Sequence, residues 1–312
     1  MKKVITIGEI LVEIMATEIG DGFLEPIPLV GPFPSGAPAI FIDQVAKLGQ
    51  PCGMIACVGA DDFGRVNLDR LARDGVDISA IAVHPDLPTG SAFVRYRADG
   101  SRDFVFNIRH SAAGATGPTE AAERLIDGAD HLHVMGSSLS TPAIVDLALA
   151  AAARIRARGG AVSFDPNLRK EVLATPGVRA TMERVLAVTD LFLPSGPELF
   201  LFTEATEETA AAQQILARGI QAVLVKNGAD GASYHASDRS LHCTAFGVEE
   251  VDPTGAGDIF AGTFVTCWLR ELPPAEALRL ANASGALAVG RRGPMEGTST
   301  RAEIDAFLGS HS

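Results

Sequence analysis

The 312-residue chain lacks the long runs that mark membrane proteins and nucleic-acid-binding proteins. No apolar run approaches the ~20 residues that a membrane-spanning helix needs, and no run rich in Lys and Arg is present. The 26 basic residues are outnumbered by 38 acidic ones, for a net charge of −12. Nucleic acid is therefore not an expected partner, because its phosphates are bound by basic side chains. Segment 1–9 meets a glutamate too early for a signal peptide and predicts a first strand, so we expect a cytoplasmic protein without a membrane partner.

Cysteine and two common nucleotide motifs are also scarce or missing. The four cysteines fall in or beside apolar segments, without metal-ligand spacing, and are predicted to be small buried hydrophobes; they are Cys52, Cys57, Cys243 and Cys267. No Gly-x-x-x-x-Gly-Lys-Ser/Thr sequence occurs, and Phe260 stands where a dinucleotide fingerprint needs its third glycine. Neither a P-loop nor a Rossmann loop is expected.

The 47% hydrophobic content is sufficient for a large core. Apolar β-branched runs alternate with segments of helical period, as in 53–58 followed by 62–74 and 131–135 followed by 142–158. This alternation predicts βαβ units and an α/β fold, with a mainly parallel sheet covered by helices on both faces. Short strands are predicted at 232–235 and 241–246, and three helices follow, starting near Gly257, Pro274 and Thr300.

Two stretches break this pattern. Segment 13–34 is rich in Gly and Pro, and segment 89–110 predicts a hairpin around Asp99-Gly100. Neither suits a parallel sheet, so we expect an inserted β segment within a single domain over 1–312.

The most informative segment runs from Val251 to Asp258 and precedes an apolar run at 259–265. Its small residues leave room for a bulky anion, while the N–H groups and the dipole of a helix start favour negative charge. A carboxylate at Asp258 is useful there if it takes a proton from an incoming hydroxyl. The segment predicts phosphoryl transfer; the alternative is a tight turn whose Asp complements the helix dipole.

Segment 252–262 resembles the C-terminal signature of the ribokinase-like (PfkB) carbohydrate kinases, with Pro253 where Thr is commoner. Segment 35–39 resembles the family's N-terminal Gly-Gly-x-x-x-Asn signature, with Ser35 replacing the first Gly and Ile40 the Asn. Further matches, all in the family's order, are 165–169, Glu198 of an Asn-x-x-Glu element and 225–231. The resemblance covers essentially the whole chain. It implies a ribokinase-like fold in which the two inserted segments form a small β-lid over the sugar, and a homodimer that pairs through the lid.

The resemblance also implies a catalytic group. Asp258 would be the general base that deprotonates a sugar hydroxyl as it attacks the γ-phosphate of ATP. Backbone amides would stabilise the transferred group; they belong to Gly255, Ala256 and Gly257.

Cations are implied as well. Magnesium would bridge the ATP phosphates, with Glu198 orienting it through water, although Ser195 replaces the Asn of that element. Asp252 and the loop 291–298 would hold a monovalent cation, potassium.

The remaining predicted contacts follow from matched positions. The sugar-binding residues implied are Glu13, Gly36, Arg109 and Arg169. The nucleotide-binding residues implied are Lys226, Gly228, Gly231 and Asn282. Because the apolar Ile40 cannot hydrogen-bond a hydroxyl, we expect it to influence which sugar binds.

These matches favour an ATP-dependent kinase that phosphorylates a small sugar, a ketohexose, at a primary hydroxyl. Relatives that act on 2-keto-3-deoxygluconate typically carry lid tyrosines, whereas this lid has Ser91-Ala92-Phe93 and Asn107. Three alternatives stay open: a 2-keto-3-deoxygluconate kinase, a nucleoside kinase, and a catalytically silent sugar- or nucleotide-binding regulator.

Overall fold

A mainly parallel β-sheet forms the centre of the molecule. The computed structural model describes residues 1–20, 22–98, 102–168 and 177–311. The central strands in these ranges are β1 (Val4–Ile7), β4 (Cys52–Gly59), β5 (Ile81–His84), β8 (His131–Met135), β9 (Ala161–Asp165), β10 (Leu191–Phe192), β11 (Ala222–Lys226), β12 (Ala232–Ala236) and β13 (Ser240–Cys243). They lie in the order β13-β12-β11-β10-β9-β8-β1-β4-β5. Within this described sheet, the antiparallel pairs are β11–β12 and β12–β13, at one edge, and the other neighbouring strands pair parallel.

Helices cover both faces of this sheet, which confirms the predicted fold class. They are α1 (Ala37–Lys47), α2 (Asp62–Asp74), α3 (Glu120–Asp127), α4 (Pro142–Ala157), α5 (Val178–Leu186), α6 (Gly196–Leu199), α7 (Glu208–Leu216), α8 (Ala256–Leu269), α9 (Pro274–Val289) and α10 (Arg301–Ser310). Successive strand residues point to opposite faces, so Val4 and Met54 join the core beneath α1, α8 and α9, while Ile5 and Ile55 join the core beneath α3, α4 and α7. Burial on both faces explains the continuous apolar runs of these strands.

A second, smaller sheet forms the lid. Its strands are β2 (Leu11–Ile19), β3 (Leu29–Ser35), β6 (Gly90–Tyr96) and β7 (Arg102–Asn107), in the order β3-β2-β6-β7. These strands fall within or beside the two stretches that break the alternation of the sequence. The predicted turn residues Asp99 and Gly100 lie outside the described residues.

Several details differ from the sequence-based expectations. The strand predicted at 241–246 is observed as Ser240–Cys243, because the chain beyond it turns along the wall of a cavity. Three cysteines are buried as expected, whereas Cys243 is half-buried. Within the described ranges, no helix combines the length and apolarity that crossing a bilayer requires.

Candidate active site

The start of α8 carries backbone N–H groups that precede its first regular helix bond. Gly255 caps the helix in the left-handed region, at φ 80°. The N–H of Ile259 donates to the Gly255 carbonyl over 2.9 Å, so the N–H groups of residues 256–258 precede the first regular helix bond. The N–H of Ala256 donates a long hydrogen bond to the Pro253 carbonyl, at 3.4 Å. This helix start can therefore hold an anion.

The two glycines of this turn have different surroundings. A Cβ on Gly255 would lie 2.4 Å from the Pro294 carbonyl oxygen, so the backbone conformation and close packing both require glycine there. Among the described residues outside its own helix turn, the Nζ of Lys226, at 3.9 Å, is the one atom within 4 Å of a Cβ on Gly257. The open space at Gly257 thus lies between a helix start and an ammonium group, which suits a phosphate.

Lys226 is kept charged by a buried partner. It ends β11, and its Nζ forms an ion pair with Asp165 at the end of β9. Burial opposes the charge of Lys226, but the carboxylates of Asp165 and Glu198 outweigh it and raise the pKa of Lys226. Burial raises the pKa of Asp165 to about 6, against the opposing effect of Lys226, so the pair remains ionised at pH 7.

Asn167 contacts the candidate base directly. Its Nδ2 donates to Oδ1 of Asp258 over 2.9 Å, and Asp258 is itself buried. Segment 165–169 resembles a motif of the family, but neither Asp165 nor Asn167 was predicted to have a role in the site. The available signal was the Asp-Pro-Asn sequence directly after a buried strand, where polar residues gather at the carboxyl edge of a parallel sheet.

Glu198 lies beneath this turn rather than open to the cavities. One carboxylate oxygen accepts from the N–H of Leu168 at 2.6 Å, and the other accepts from the N–H of Ser195 at 2.7 Å. Within the described ranges, no group of three or more His, Cys, Asp or Glu side chains is arranged to hold a metal ion. Any contact of Glu198 with a cation through water would use the remaining lone pairs of these oxygens.

A cavity of about 480 Å³ lies on one side of the helix start. Its wall includes all four predicted nucleotide-binding residues together with Ala256 and Gly257; these four are Lys226, Gly228, Gly231 and Asn282. Asn282 donates to the carbonyls of Cys243 and Thr244, at 2.9 and 3.2 Å, and so fixes the chain along the cavity. Gly231 has φ 96°, and a Cβ there would lie 2.1 Å from the Cys243 oxygen, so no other residue fits without a shift.

A second cavity, of about 600 Å³, lies under the lid. Its wall includes Arg109, Asn167, Phe106 of the lid and Glu9. Glu9 is 5% exposed and accepts hydrogen bonds from the hydroxyls of Ser138 at 2.6 Å and of its neighbour Ser137 at 3.1 Å. From the sequence, this glutamate was used as evidence against a signal peptide, and its place in this wall was missed.

The other predicted sugar-binding residues lie elsewhere or outside the described part. Glu13 lies in β2 and accepts from the Ser35 hydroxyl at 2.7 Å, and neither it nor Gly36 is part of the described wall of the lid cavity. Gly36 has φ 115°, and a Cβ there would lie 2.4 Å from the Glu9 carbonyl oxygen. Arg169 lies outside the described residues.

Ile40 does not reach either cavity wall as described. It is 2% exposed in the core at the start of α1, and its Cδ1 would lie 3.3 Å from a Cβ on Gly255. The structure therefore gives no support for a contact between Ile40 and a sugar; the side chain packs beneath the anion-binding turn.

Asp252 ties the loop before α8 to the loop 291–298. Its Oδ1 accepts from the N–H and the hydroxyl of Thr254, at 3.0 and 2.7 Å, and its Oδ2 accepts from the N–H of Gly293 at 3.0 Å. Arg102 of β7 donates to the same Thr254 hydroxyl over 2.7 Å, so a lid strand contacts the anion-binding loop.

Comparison with known proteins agrees with this geometry. A profile of the "pfkB family carbohydrate kinase" matches residues 1–301. A fructokinase of Vibrio alginolyticus is 32% identical over 283 residues, covering 88% of this chain and 92% of its own. A 2-dehydro-3-deoxygluconokinase of Thermoproteus tenax is also 32% identical, over 99% of this chain and 94% of its own. Among solved structures, an E. coli "putative Ribokinase II" in complex with ATP and Mg²⁺ is 48% identical over the full length of both chains, with a TM-score of 0.93.

Proposed function

The chain belongs to the pfkB family of carbohydrate kinases, and we propose that it transfers the γ-phosphate of ATP to a primary hydroxyl of a ketohexose, with Asp258 as the general base. One observation carries this proposal. Asp258 lies in the first turn of α8, which borders the cavity of about 480 Å³, called here the nucleotide cavity. Asp258 also accepts a hydrogen bond from Asn167, which borders the lid cavity. A base at this junction can act on a hydroxyl that faces a phosphate.

The residues of the nucleotide cavity fit ATP. Glycines and small side chains leave space along the wall, and Lys226 with the first-turn N–H groups supplies positive charge where Gly257 has no Cβ. Bound ATP supplies the phosphoryl group that is transferred. The likeness to the E. coli protein, whose structure contains ATP and Mg²⁺, supports this assignment.

The reaction step then follows from the positions of the side chains. Asp258 accepts the proton of the sugar hydroxyl, whose oxygen bonds to phosphorus as the bond to ADP breaks. The N–H groups at Gly255, Ala256 and Gly257 stabilise the charge on the transferred group, an effect of about 3 kcal/mol for a well-placed donor.

Two carboxylates would hold the cations. Glu198 would reach magnesium through water, because both of its oxygens already accept backbone N–H groups. Asp252 would contribute to a potassium site only through the lone pairs left by Thr254 and Gly293.

The ketohexose is favoured over the keto-acid by the wall of the lid cavity. The carboxylate of Glu9 suits sugar hydroxyls and would repel the carboxylate of 2-keto-3-deoxygluconate. The tyrosines expected in the lid of a keto-acid kinase are replaced by Phe93 and Asn107. The Vibrio alginolyticus relative, named fructokinase, supports this choice; the Thermoproteus tenax relative supports the keto-acid as the second candidate.

A coupled ADP-release assay tests the substrate. Wild-type protein is assayed with ketohexoses, aldoses, 2-keto-3-deoxygluconate and nucleosides, and we expect the highest kcat/KM with a ketohexose. The Asp258→Asn variant should bind ATP and lose kcat by ~10²–10⁴. A higher kcat/KM with the keto-acid or with a nucleoside would overturn the proposal of a ketohexose substrate. Near-normal turnover by Asp258→Asn would overturn the assignment of Asp258 as the base.

A further inference from the structure

The hydrogen bond between Asn167 and Asp258 joins two segments that are 91 positions apart. The amide Nδ2 has only hydrogens to offer, so Asp258 must be the acceptor, and a carboxylate is a stronger acceptor than a carboxylic acid. This bond therefore favours the ionised form of the residue proposed to take a proton. It also restricts rotation of the carboxylate about its Cβ–Cγ bond.

The turn that carries Asn167 is held in an unusual conformation. Asn167 has φ 42°, one of the few left-handed positions of a residue other than glycine in the described chain. Its own N–H donates to Asp165 at 3.1 Å, and the N–H of the next residue, Leu168, donates to Glu198 at 2.6 Å. Backbone strain of this kind persists where surrounding contacts impose it, and it occurs often at functional sites.

We propose that Asn167 is a positioning residue for phosphoryl transfer, and that Asp165 and Glu198 fix its turn so that its amide orients Asp258. This inference rests on the proposed function of Asp258. It gives Glu198 a structural role that is independent of any cation. A side chain that merely fills space at position 167 would not need a left-handed backbone or an amide donor.

The charges around Asp258 set the background for a test by titration. Lys226 interacts with the charge of Asp258, and also with the charges of Asp165 and Glu198. None of the three is altered in the variants below. A change in the titration of Asp258 would therefore report on the amide at position 167.

Two variants separate the amide from the backbone conformation. Asn167→Gly keeps a residue that accepts a positive φ and removes the donor. Asn167→Asp keeps the shape, tolerates the left-handed region and replaces the donor by a negative charge. Gln213→Glu makes the same amide-to-acid change at an exposed position of α7 and serves as the control.

The first measurement is the ¹³Cγ shift of Asp258 against pH, with Asp258→Asn to assign the signal. We expect the titration midpoint to rise by about one unit in Asn167→Gly, the size of one hydrogen bond to a charged group, and further in Asn167→Asp. The control should titrate like the wild type. An unchanged midpoint in both variants at position 167 would refute the proposal, and this readout needs no substrate.

The second measurement uses whichever sugar the wild type phosphorylates. Asn167→Gly should lower kcat by about tenfold to a hundredfold while KM for ATP stays within about twofold. A raised KM for the sugar with an unchanged kcat would show that Asn167 only contacts substrate, and would overturn the positioning role. Failure of the proposed function itself would appear separately, as turnover retained by Asp258→Asn.

Discussion

At the scale of single residues, glycine has two different functions at the start of α8. Gly255 is required by its left-handed backbone and by the Pro294 carbonyl, whereas Gly257 keeps open the space in front of Lys226. Both would be described equally well by "small residue" from the sequence. Only the packing around each glycine shows that Gly255 is needed for the fold and that Gly257 leaves space for a ligand.

Alanine at each of these positions should therefore give different results. Gly255→Ala should lower the free energy of unfolding by about 1–3 kcal/mol, because a Cβ is strained there and meets Pro294. Gly257→Ala should unfold like the wild type and yet bind ATP more weakly, because its methyl group enters the phosphate space. Urea unfolding measures the stability of both variants, and ATP titration measures their affinity for ATP. Equal loss of stability in both variants would contradict this distinction.

At the scale of elements, the lid and the anion-binding loop are coupled by a side chain. Arg102 lies in β7, and its guanidinium donates to Thr254, next to the cap residue Gly255. The contact spans 152 positions, so no local pattern could have predicted it. A lid strand that bonds the loop before α8 links the position of the lid to that of the anion site.

Loss of this contact should weaken sugar binding more than nucleotide binding. We expect Arg102→Ala to raise KM for the sugar by about tenfold, because the lid is no longer fixed over its cavity. KM for ATP should change by less than about threefold. Arg124→Ala, which removes an exposed arginine of α3, is the matched control. Steady-state kinetics on the three proteins would contradict the coupling if both KM values rose together in Arg102→Ala.

Some elements could be predicted from the sequence and others could not. The parallel sheet was predictable because strands buried on both faces have continuous apolar runs. The four residues predicted to bind a nucleotide line one cavity, and their nucleotide contacts stay a prediction. Asn167 and Glu9 were missed as site residues because their roles depend on which strand ends meet in the folded sheet. Ile40 was expected to influence which sugar binds because of its position in a motif, and the structure places its side chain in the core at the start of α1.

At the scale of the whole molecule, the lid carries exposed apolar side chains that favour a second copy of the chain as partner. Ile19, Leu24 and Val105 are 68%, 94% and 55% exposed. Together with the family resemblance, this supports the proposal of a homodimer that pairs through the lid.

Two valine variants test the dimer. Val105→Glu places a charge on the lid and should convert a dimer to a monomer in sedimentation velocity experiments. Val83 in β5 is 53% exposed and lies in the main sheet, so Val83→Glu should leave the oligomeric state unchanged. A monomeric wild-type protein, or equal effects of the two variants, would reject pairing through the lid.

The stability of the whole fold should depend on pH through the buried His131. Burial lowers the pKa of its imidazole to about 3. In the unfolded chain the pKa of this imidazole is about 6.5, so the unfolded state binds a proton first as the pH falls. The free energy of unfolding should thus decrease from about pH 6.5 downwards, by about 2 kcal/mol at pH 5 from this group. Burial raises the pKa of Asp165 to about 6, so this group makes the free energy of unfolding increase as the pH falls. To separate the effect of His131, the wild type is compared with His131→Gln and with the exposed control His110→Gln. Urea unfolding at pH 7.5 and pH 5 should show a smaller loss on acidification in His131→Gln alone; an identical loss in all three proteins would show that His131 is not the group responsible.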